Sequence, residues 1–172
     1  YGFRFQDWTN FYGHQGDSMV VANSHIRDIS SYIFYRAFSL QNGATMRIED
    51  NTFTDFSGVL DNFYLYHSST LLILKGNSFI DNTGGILNYV SFQQAGPRVE
   101  VRDNVQTSGS SSMNVNVSYS SGTLPDYDVI VEGNQLKGGQ IYFYGNNAAY
   151  GRFLVEGNTF DGSYLQVYYA NK

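Results

Sequence analysis

The sequence predicts an all-β chain wound as a parallel β-helix, a solenoid of about six coils, and three observations carry that expectation. First, one phrase recurs: an apolar residue, a variable residue, a second apolar residue, a variable residue, Asp or Gly, then Asn. It reads MRIEDN, LLILKGN, VEVRDN, VIVEGN and FLVEGN, with a looser first copy in MVVAN. Asn23, Asn51, Asn77, Asn104, Asn134 and Asn158 close the copies, at intervals of 28, 26, 27, 30 and 24 residues. Second, an alternating stretch rich in Tyr and Phe follows each copy. Third, 18 Gly, 15 Tyr and 13 Phe, with no sustained helical or heptad apolar period, favour strands and turns over helices. An interval of this length holds two or three short strands with their turns, too much for a six- or nine-residue β-roll, and it lacks the pattern of a leucine-rich repeat.

Residues 1–17 fit the phrase poorly and read as a partial coil or an N-terminal cap. FRF supplies one short strand there, and Trp8, Phe11 and Tyr12 supply cover for an open end. An amphipathic cap is the alternative. The β-helix repeat region runs over residues 18–172.

Within each phrase the two apolar positions are separated by one residue, so on a strand both side chains point to the same side. Met46 with Ile48, Leu72 with Leu74, Val99 with Val101, Val129 with Val131 and Phe153 with Val155 are therefore expected to face the core. Arg47, Glu49, Lys75, Glu100, Arg102, Glu132 and Glu156 fall on the solvent side. The Asp or Gly before the Asn marks a bend. Gly76, Gly133 and Gly157 suit positive φ, and Asn tolerates it better than most residues. Asparagines at one position of successive coils also stack their carboxamides at the strand spacing of about 4.8 Å, which makes an internal hydrogen-bond ladder. Two residues later a large apolar side chain returns, as Phe53, Phe79, Leu136 and Phe160.

A second strand follows each corner: YIFYRAF, GVLDNFYLY, GGILNYVSF, SSMNVNVSY, GGQIYFY and GSYLQVYY. One face carries Phe63 and Leu65, Val115 and Val117, Ile141 and Phe143, then Leu165 and Val167. The other carries Tyr64, Tyr66, Tyr89, Asn114, Asn116, Tyr142, Tyr144, Tyr164 and Tyr168. The connections that close each coil, such as HSST, FQQAGP and SGTLPDY, vary in length, as surface loops do.

Composition narrows the function. A formal net charge of -5 and the lack of a basic run argue against nucleic acid as a partner. There is no Cys, so disulfides and thiolate metal sites are excluded and packing must hold the fold. No apolar run reaches the roughly 18 to 20 residues of a membrane helix, so no membrane span is expected within the chain. The N-terminus lacks the pattern of a signal peptide and an initiating Met, so a mature product or an excised fragment is expected.

With its recurrent GNxF or DNxF corner, the repeat region resembles the right-handed parallel β-helix of the pectate-lyase-like superfamily, over residues 18–172. NSFIDNTGGIL, residues 77–87, is similar to the FxxN and GGAI signatures of bacterial polymorphic outer-membrane proteins, with Ile86 where Ala is usual. SLQNGATMRIEDNTF followed by SSTLLILKGNSF resembles the dispersed gene family surface proteins of trypanosomatids. The resemblance implies the right hand of the helix and an extracellular or cell-surface location.

Enzymes of that superfamily cleave acidic polysaccharides with clustered aspartates on one sheet. Asp55 and Asp81, each four residues after its Asn, are the candidate catalytic residues, expected to stack on adjacent coils where two carboxylates share a proton or hold Ca²⁺. Ser108 and Gly138 hold the same position in later coils, and no third acidic ligand is apparent, which favours polar residues in a solvated turn. GHQGD around His14 resembles a GHG element of pectin hydrolases but lacks the matching Asp pair and basic motif. His14, His25 and His67 do not recur at zinc-ligand spacing, so no metal and no cofactor are expected. No nucleophile elbow frames any Ser.

The tyrosine face is the candidate binding surface, for a glycan or a protein, because Tyr offers a flat apolar ring with a polar tip. The bland alternative is that stacked tyrosines only brace one another. Asn116-Val117-Ser118 is the only N-glycosylation sequon. The function expected is that of a non-catalytic structural or adhesive segment. A polysaccharide lyase or hydrolase is one alternative, and a fibre subunit that adds further coils or subunits at its ends is the other.

Overall fold

A computed structural model describes residues 5–6, 10–12, 16–35, 38–61, 63–67, 69–92, 98–108, 112–118, 128–138, 140–146, 152–162 and 164–169. All regular structure among them is β. Six strands stack in one sheet in chain order: Ser18–Ala22, Thr45–Glu49, Leu71–Lys75, Arg98–Arg102, Asp128–Glu132 and Arg152–Glu156. Each is parallel to the next and in unbroken register, with Met46 opposite Leu72 and Leu72 opposite Val99. These are the apolar-x-apolar phrases of the sequence, one per rung.

The second sheet has 14 strands in two tiers. A corner tier contains Ser78–Ile80, Val105–Gln106, Gln135–Lys137 and Thr159–Asp161. A far tier contains Phe38–Gln41, Phe63–Leu65, Leu87–Phe92, Ser112–Ser118, Gln140–Asn146 and Tyr164–Tyr169. The long strands His25–Tyr35 and Thr52–Leu60 run through both tiers. Near the N-terminus, Phe5–Gln6 pairs with Phe34 and Tyr35, and Asn10–Tyr12 pairs with Ser39 to Gln41, both in parallel.

The result is a parallel β-solenoid of about 4 turns, fewer than the six expected from counting asparagines. The physical reason lies at the ends. Met46, Ile48, Leu72, Leu74, Val99, Val101, Val129 and Val131 are all fully buried, whereas Met19, Val21, Phe153 and Val155 of the outer rungs are only partly so. An asparagine marks a rung, but a closed turn also needs a neighbour on each side.

Each turn bends where the backbone enters the left-handed region. Asp50, Asp103, Gly76, Gly133 and Gly157 have φ of 54°, 54°, 64°, 66° and 63°, so the bend falls on the residue before the repeated asparagine. Side chains here are constrained by the coil above or below. A Cβ at Gly76 would press on Oδ1 of Asp50, and one at Gly133 on Oδ1 of Asp103.

The asparagines then form the expected ladder, but with five members. Nδ2 of Asn51, Asn77, Asn104 and Asn134 donates to Oδ1 of the next asparagine at 3.1, 2.9, 2.9 and 2.9 Å. The same Oδ1 also accepts the backbone N–H of the preceding ladder residue, as from Asn77 to Asn104 at 3.0 Å. Each Nδ2 further donates to a carbonyl one coil back, from Asn104 to Leu74 O at 3.0 Å for example. Asn51, Asn77, Asn104 and Asn134 are buried, and buried polar groups are tolerated because they are paired in this way.

Asn23 is not a member. Ala22 pairs with Glu49, so Asn23 stands opposite Asp50 and shares its left-handed φ, at 51°. Ser24 occupies the ladder position and donates its N–H to Asn51 Oδ1 at 3.1 Å. Its hydroxyl instead bonds Ala22 O at 2.9 Å.

Inside, successive coils pack Phe on Phe. The Phe53 and Phe79 rings stack at 5.3 Å with an interplanar angle of 11°, and Phe56 contacts both at 5.5 and 5.8 Å. Burying each such side chain contributes about 1.5–3 kcal/mol, and each aromatic pair about 0.5–1.5 kcal/mol more. In the next coil Gln106 follows Val105, which pairs with Ser78, so Gln106 takes the place of Phe79. Its Nε2 donates to Asn82 Oδ1 at 3.0 Å, which turns this layer of the core polar.

On the outer face of the six-stranded sheet, charged side chains interleave with Val20, Ile73, Ile130 and Leu154, the column that runs through Arg47 and Glu100. Arg102 bridges Glu100 at 3.1 Å and Glu132, and Arg98 reaches Glu100 at 3.4 Å. Ion pairs this exposed add little individually, about 0–1 kcal/mol.

Candidate functional site

The far tier places the tyrosines because strand alternation sends every second side chain outward. Phe63 and Leu65 are fully buried, so Tyr64 between them and Tyr66 after them project from the sheet. The Tyr64 ring lies 6.3 Å from Tyr66, tilted by 43°, and 6.3 Å from Tyr89, edge-on at 68°. Tyr89 arrives there through an irregularity: the pairing of Leu87–Phe92 with the following strand slips between Leu87 and Val90.

Beside this trio sits Asp61, 6 % exposed, whose Oδ1 accepts from Asn88 Nδ2 at 2.6 Å. Burial lifts the Tyr64 phenol above its ordinary value of 10.0, and Tyr89, Tyr66 and the Asp61 carboxylate add to the rise. Tyr64 therefore stays protonated, a donor as well as an acceptor, throughout the neutral range. The trio offers flat rings beside a hydrogen-bonded carboxylate, a combination that suits polar ligands with apolar faces.

A second group lies two rungs on. Tyr142 and Tyr164 meet hydroxyl to hydroxyl at 2.7 Å, with rings 6.0 Å apart and edge-on at 85°. Tyr144 pairs in register with Tyr168, and their side chains lie outside the described residues. The expected stripe is thus two clusters. Between them the register sets Asn114 against Tyr142 and Asn116 against Tyr144, so the strand Ser112–Ser118 carries asparagine in the tyrosine columns. The sequon residue Asn116 sits in the middle of that strand, and its side chain is likewise outside the described residues. At the last coil Leu165, expected to face inward, is 38 % exposed because no described strand covers it.

Asp55 and Asp81 do fall at one corner of adjacent coils, directly after the paired residues Thr54 and Ile80. Asp28 joins them in the preceding coil, after Arg27, which pairs with Thr54. The sequence reading missed it by placing Asn23 one position out of register. All three are exposed and all three have left-handed φ, at 57°, 51° and 55°. Gly138 and Gly162 follow at 71° and 68° in the same column. This is a second bend, at which Asp serves as one of the few residues with a Cβ that tolerate the conformation. Ser108, the one position of the column between Asp81 and Gly138, instead accepts the Asp81 N–H on its hydroxyl at 3.0 Å.

His25 Nε2 contacts Thr54 Oγ1 at 3.2 Å, and His67 Nδ1 accepts the Ser69 N–H at 3.3 Å. His14 lies outside the described residues. Among the described residues no three of His, Cys, Asp or Glu come together in a way that suits a metal ion, and no helix is long and apolar enough to cross a membrane.

No family model, curated protein or solved structure matches the chain.

Proposed function

We propose that this chain is a non-catalytic, adhesive segment of an extracellular or cell-surface protein, a stiff solenoid whose far tier presents tyrosines to a glycan or protein partner. The observation that carries the reading is the trio of Tyr64, Tyr66 and Tyr89 beside the Asp61–Asn88 pair. Ring faces supply apolar contact and the phenols supply hydrogen bonds, while the buried Phe63 and Leu65 and the Asp61–Asn88 pair hold the geometry before any ligand arrives. The parallel solenoid supports the resemblance to the pectate-lyase-like superfamily at the level of architecture. Asp28, Asp55 and Asp81 are accounted for by backbone conformation, which is why the lyase or hydrolase reading ranks lower.

A glycan array and a cell-surface binding assay test it, with the wild-type chain beside Tyr64→Ala and Tyr89→Ala. Binding that falls at least tenfold in both variants is the expected result. Binding unchanged by either substitution sinks the tyrosine reading, and release of unsaturated or reducing ends from polyuronates restores the enzymatic one.

A second reading, end-to-end assembly, is favoured by a separate observation. The strands Arg152–Glu156, Thr159–Asp161 and Tyr164–Tyr169 each pair on one edge alone among the described residues. Such edges accept further parallel coils, from the same chain or another. Sedimentation that shows only monomer across a hundredfold concentration range rules out the intermolecular form.

A further inference from the structure

The geometry points to Tyr142 and Tyr164 as an oxidative cross-linking site, a pair poised to become dityrosine within one chain. Their hydroxyls are 2.7 Å apart, their ring centroids 6.0 Å, and they belong to adjacent parallel strands, Gln140–Asn146 and Tyr164–Tyr169. Gln140 pairs with Tyr164 and Tyr142 pairs with Gln166, so the two tyrosines are diagonal neighbours across the sheet, fixed by register and not by chance contact. Tyr164 is 46 % exposed, open to a macromolecular oxidant or a diffusible radical.

The chemistry is that of a peroxidase-type one-electron oxidant working with hydrogen peroxide. Each phenol gives up one electron and its hydroxyl proton, which leaves two phenoxyl radicals. These couple through one Cε of each ring, the carbon ortho to the oxygen, forming a new C–C bond. The hydrogens displaced from those carbons move to the oxygens and restore both aromatic rings. In sum, two tyrosines and one hydrogen peroxide give one dityrosine and two waters.

The starting arrangement resembles the product. In dityrosine the two hydroxyls lie on neighbouring carbons of the joined rings and hydrogen-bond to each other, as Tyr142 and Tyr164 already do. The centroids must close in from 6.0 Å and the edge-on angle of 85° must relax, by rotation of surface side chains that takes place within nanoseconds. Tyr64 and Tyr89 have their rings at a similar 6.3 Å but neither is exposed as Tyr164 is, so they serve as the internal comparison.

The bond has a structural effect. It joins the last described coil to the one before it, across 22 residues of sequence, where Phe153, Val155 and Phe160 are only partly buried. It acts as a staple on an outer rung whose apolar side chains are only partly covered.

The test is to treat the full chain, dilute enough to stay monomeric, with a peroxidase and one equivalent of hydrogen peroxide. Intact mass, dityrosine fluorescence and peptide mapping are then read for the wild type, Tyr164→Phe, Tyr142→Phe and Tyr64→Phe. The expected result is a monomer lighter by two hydrogens, with Tyr142 and Tyr164 in one cross-linked peptide, and at least a tenfold loss of that product in the first two variants only. A circular dichroism spectrum identical to wild type establishes that Tyr164→Phe is folded. The proposal is overturned if the wild type forms no intrachain dityrosine, if the product links other tyrosines, or if Tyr164→Phe leaves the yield unchanged.

Discussion

Asn77 Nδ2 donates to Asn104 Oδ1 at 2.9 Å, and the backbone N–H of Asn77 donates to the same oxygen at 3.0 Å. One carboxamide oxygen thus satisfies two buried donors from the coil before it. Both residues are at most 1 % exposed, so water is not available as a substitute partner.

Asn104→Ala is therefore expected to cost more than a single hydrogen bond. It removes the acceptor of the Asn77 backbone N–H and of one Asn77 Nδ2 hydrogen, and it takes a donor from the Leu74 carbonyl and from Asn134 Oδ1. With about 1–3 kcal/mol for each buried group left unsatisfied, a loss of at least about 3 kcal/mol is predicted. Urea denaturation measures it. A loss under about 1 kcal/mol shows that the ladder is ornamental.

Phe79→Ala and Phe160→Ala differ by the depth of one column. Phe79 is fully exposed to neighbours on both sides and 0 % to solvent, while Phe160 is partly buried in the outer coil. The first is expected to cost about 3–5 kcal/mol and the second less than half of that. Equal losses in chemical denaturation contradict the assignment of the outer rung as incompletely covered.

Charge at the first bend gives a salt-dependent prediction. Gly76→Asp inserts a carboxylate between Asp50 and Asp103, whereas Gly157→Asp has ordinary contacts with Gly133 alone. At the strand spacing, each like-charge neighbour costs about 1 kcal/mol in water-like surroundings. Gly76→Asp is thus predicted to be at least about 2 kcal/mol worse than Gly157→Asp at low salt, and the gap to narrow at 1 M salt as screening grows, down to the cost of the new Cβ pressing on Asp50 Oδ1. A gap that salt leaves unchanged assigns the whole cost to crowding instead.

Two phenols predict the alkaline behaviour. Tyr142 is raised above 10.0 first by its hydrogen bond to Tyr164, then by burial and by the Tyr164 charge, and Tyr64 is raised chiefly by burial. Both hold their protons more tightly folded than unfolded. Their contribution to stability is fully present below pH 10.0 and is lost as pH rises through the raised folded values. Phenolate absorbance is expected to show late-titrating tyrosines in the wild type and fewer of them in Tyr164→Phe. The idea fails if Tyr164→Phe leaves the titration curve unchanged.

The period of the asparagines and the apolar pairs makes the solenoid legible in the sequence. The period reports rungs directly, because every rung must repeat its inward side chains. What letter matching hid was register. The first copy, MVVAN, lacks the Asp or Gly, and aligning Asn with Asn put Asn23 on the ladder. Counting from the apolar pair finds the right residue: Asn51 is five residues beyond Met46, and Ser24 is five beyond Met19. The same offset brings Asp28 into the column of Asp55 and Asp81. The split of the tyrosine face was legible in Asn114 and Asn116, which interrupt the stripe, but the position of Tyr89 was not, because the slip between Leu87 and Val90 decides where it projects and strand alternation alone does not foresee a slip.

Alternation of Asp50, Gly76, Asp103 and Gly133 along the axis also bears on how such a chain grows or shrinks. Coils are not interchangeable units of recombination. Excising residues 77–103 brings Gly76 over Gly133 and leaves the bend without a charge conflict, whereas excising 51–76 lands Asp50 on Asp103. The grammar of duplication and deletion in this solenoid is written partly in charge, read between neighbours about 27 residues apart in sequence and one strand spacing apart in space.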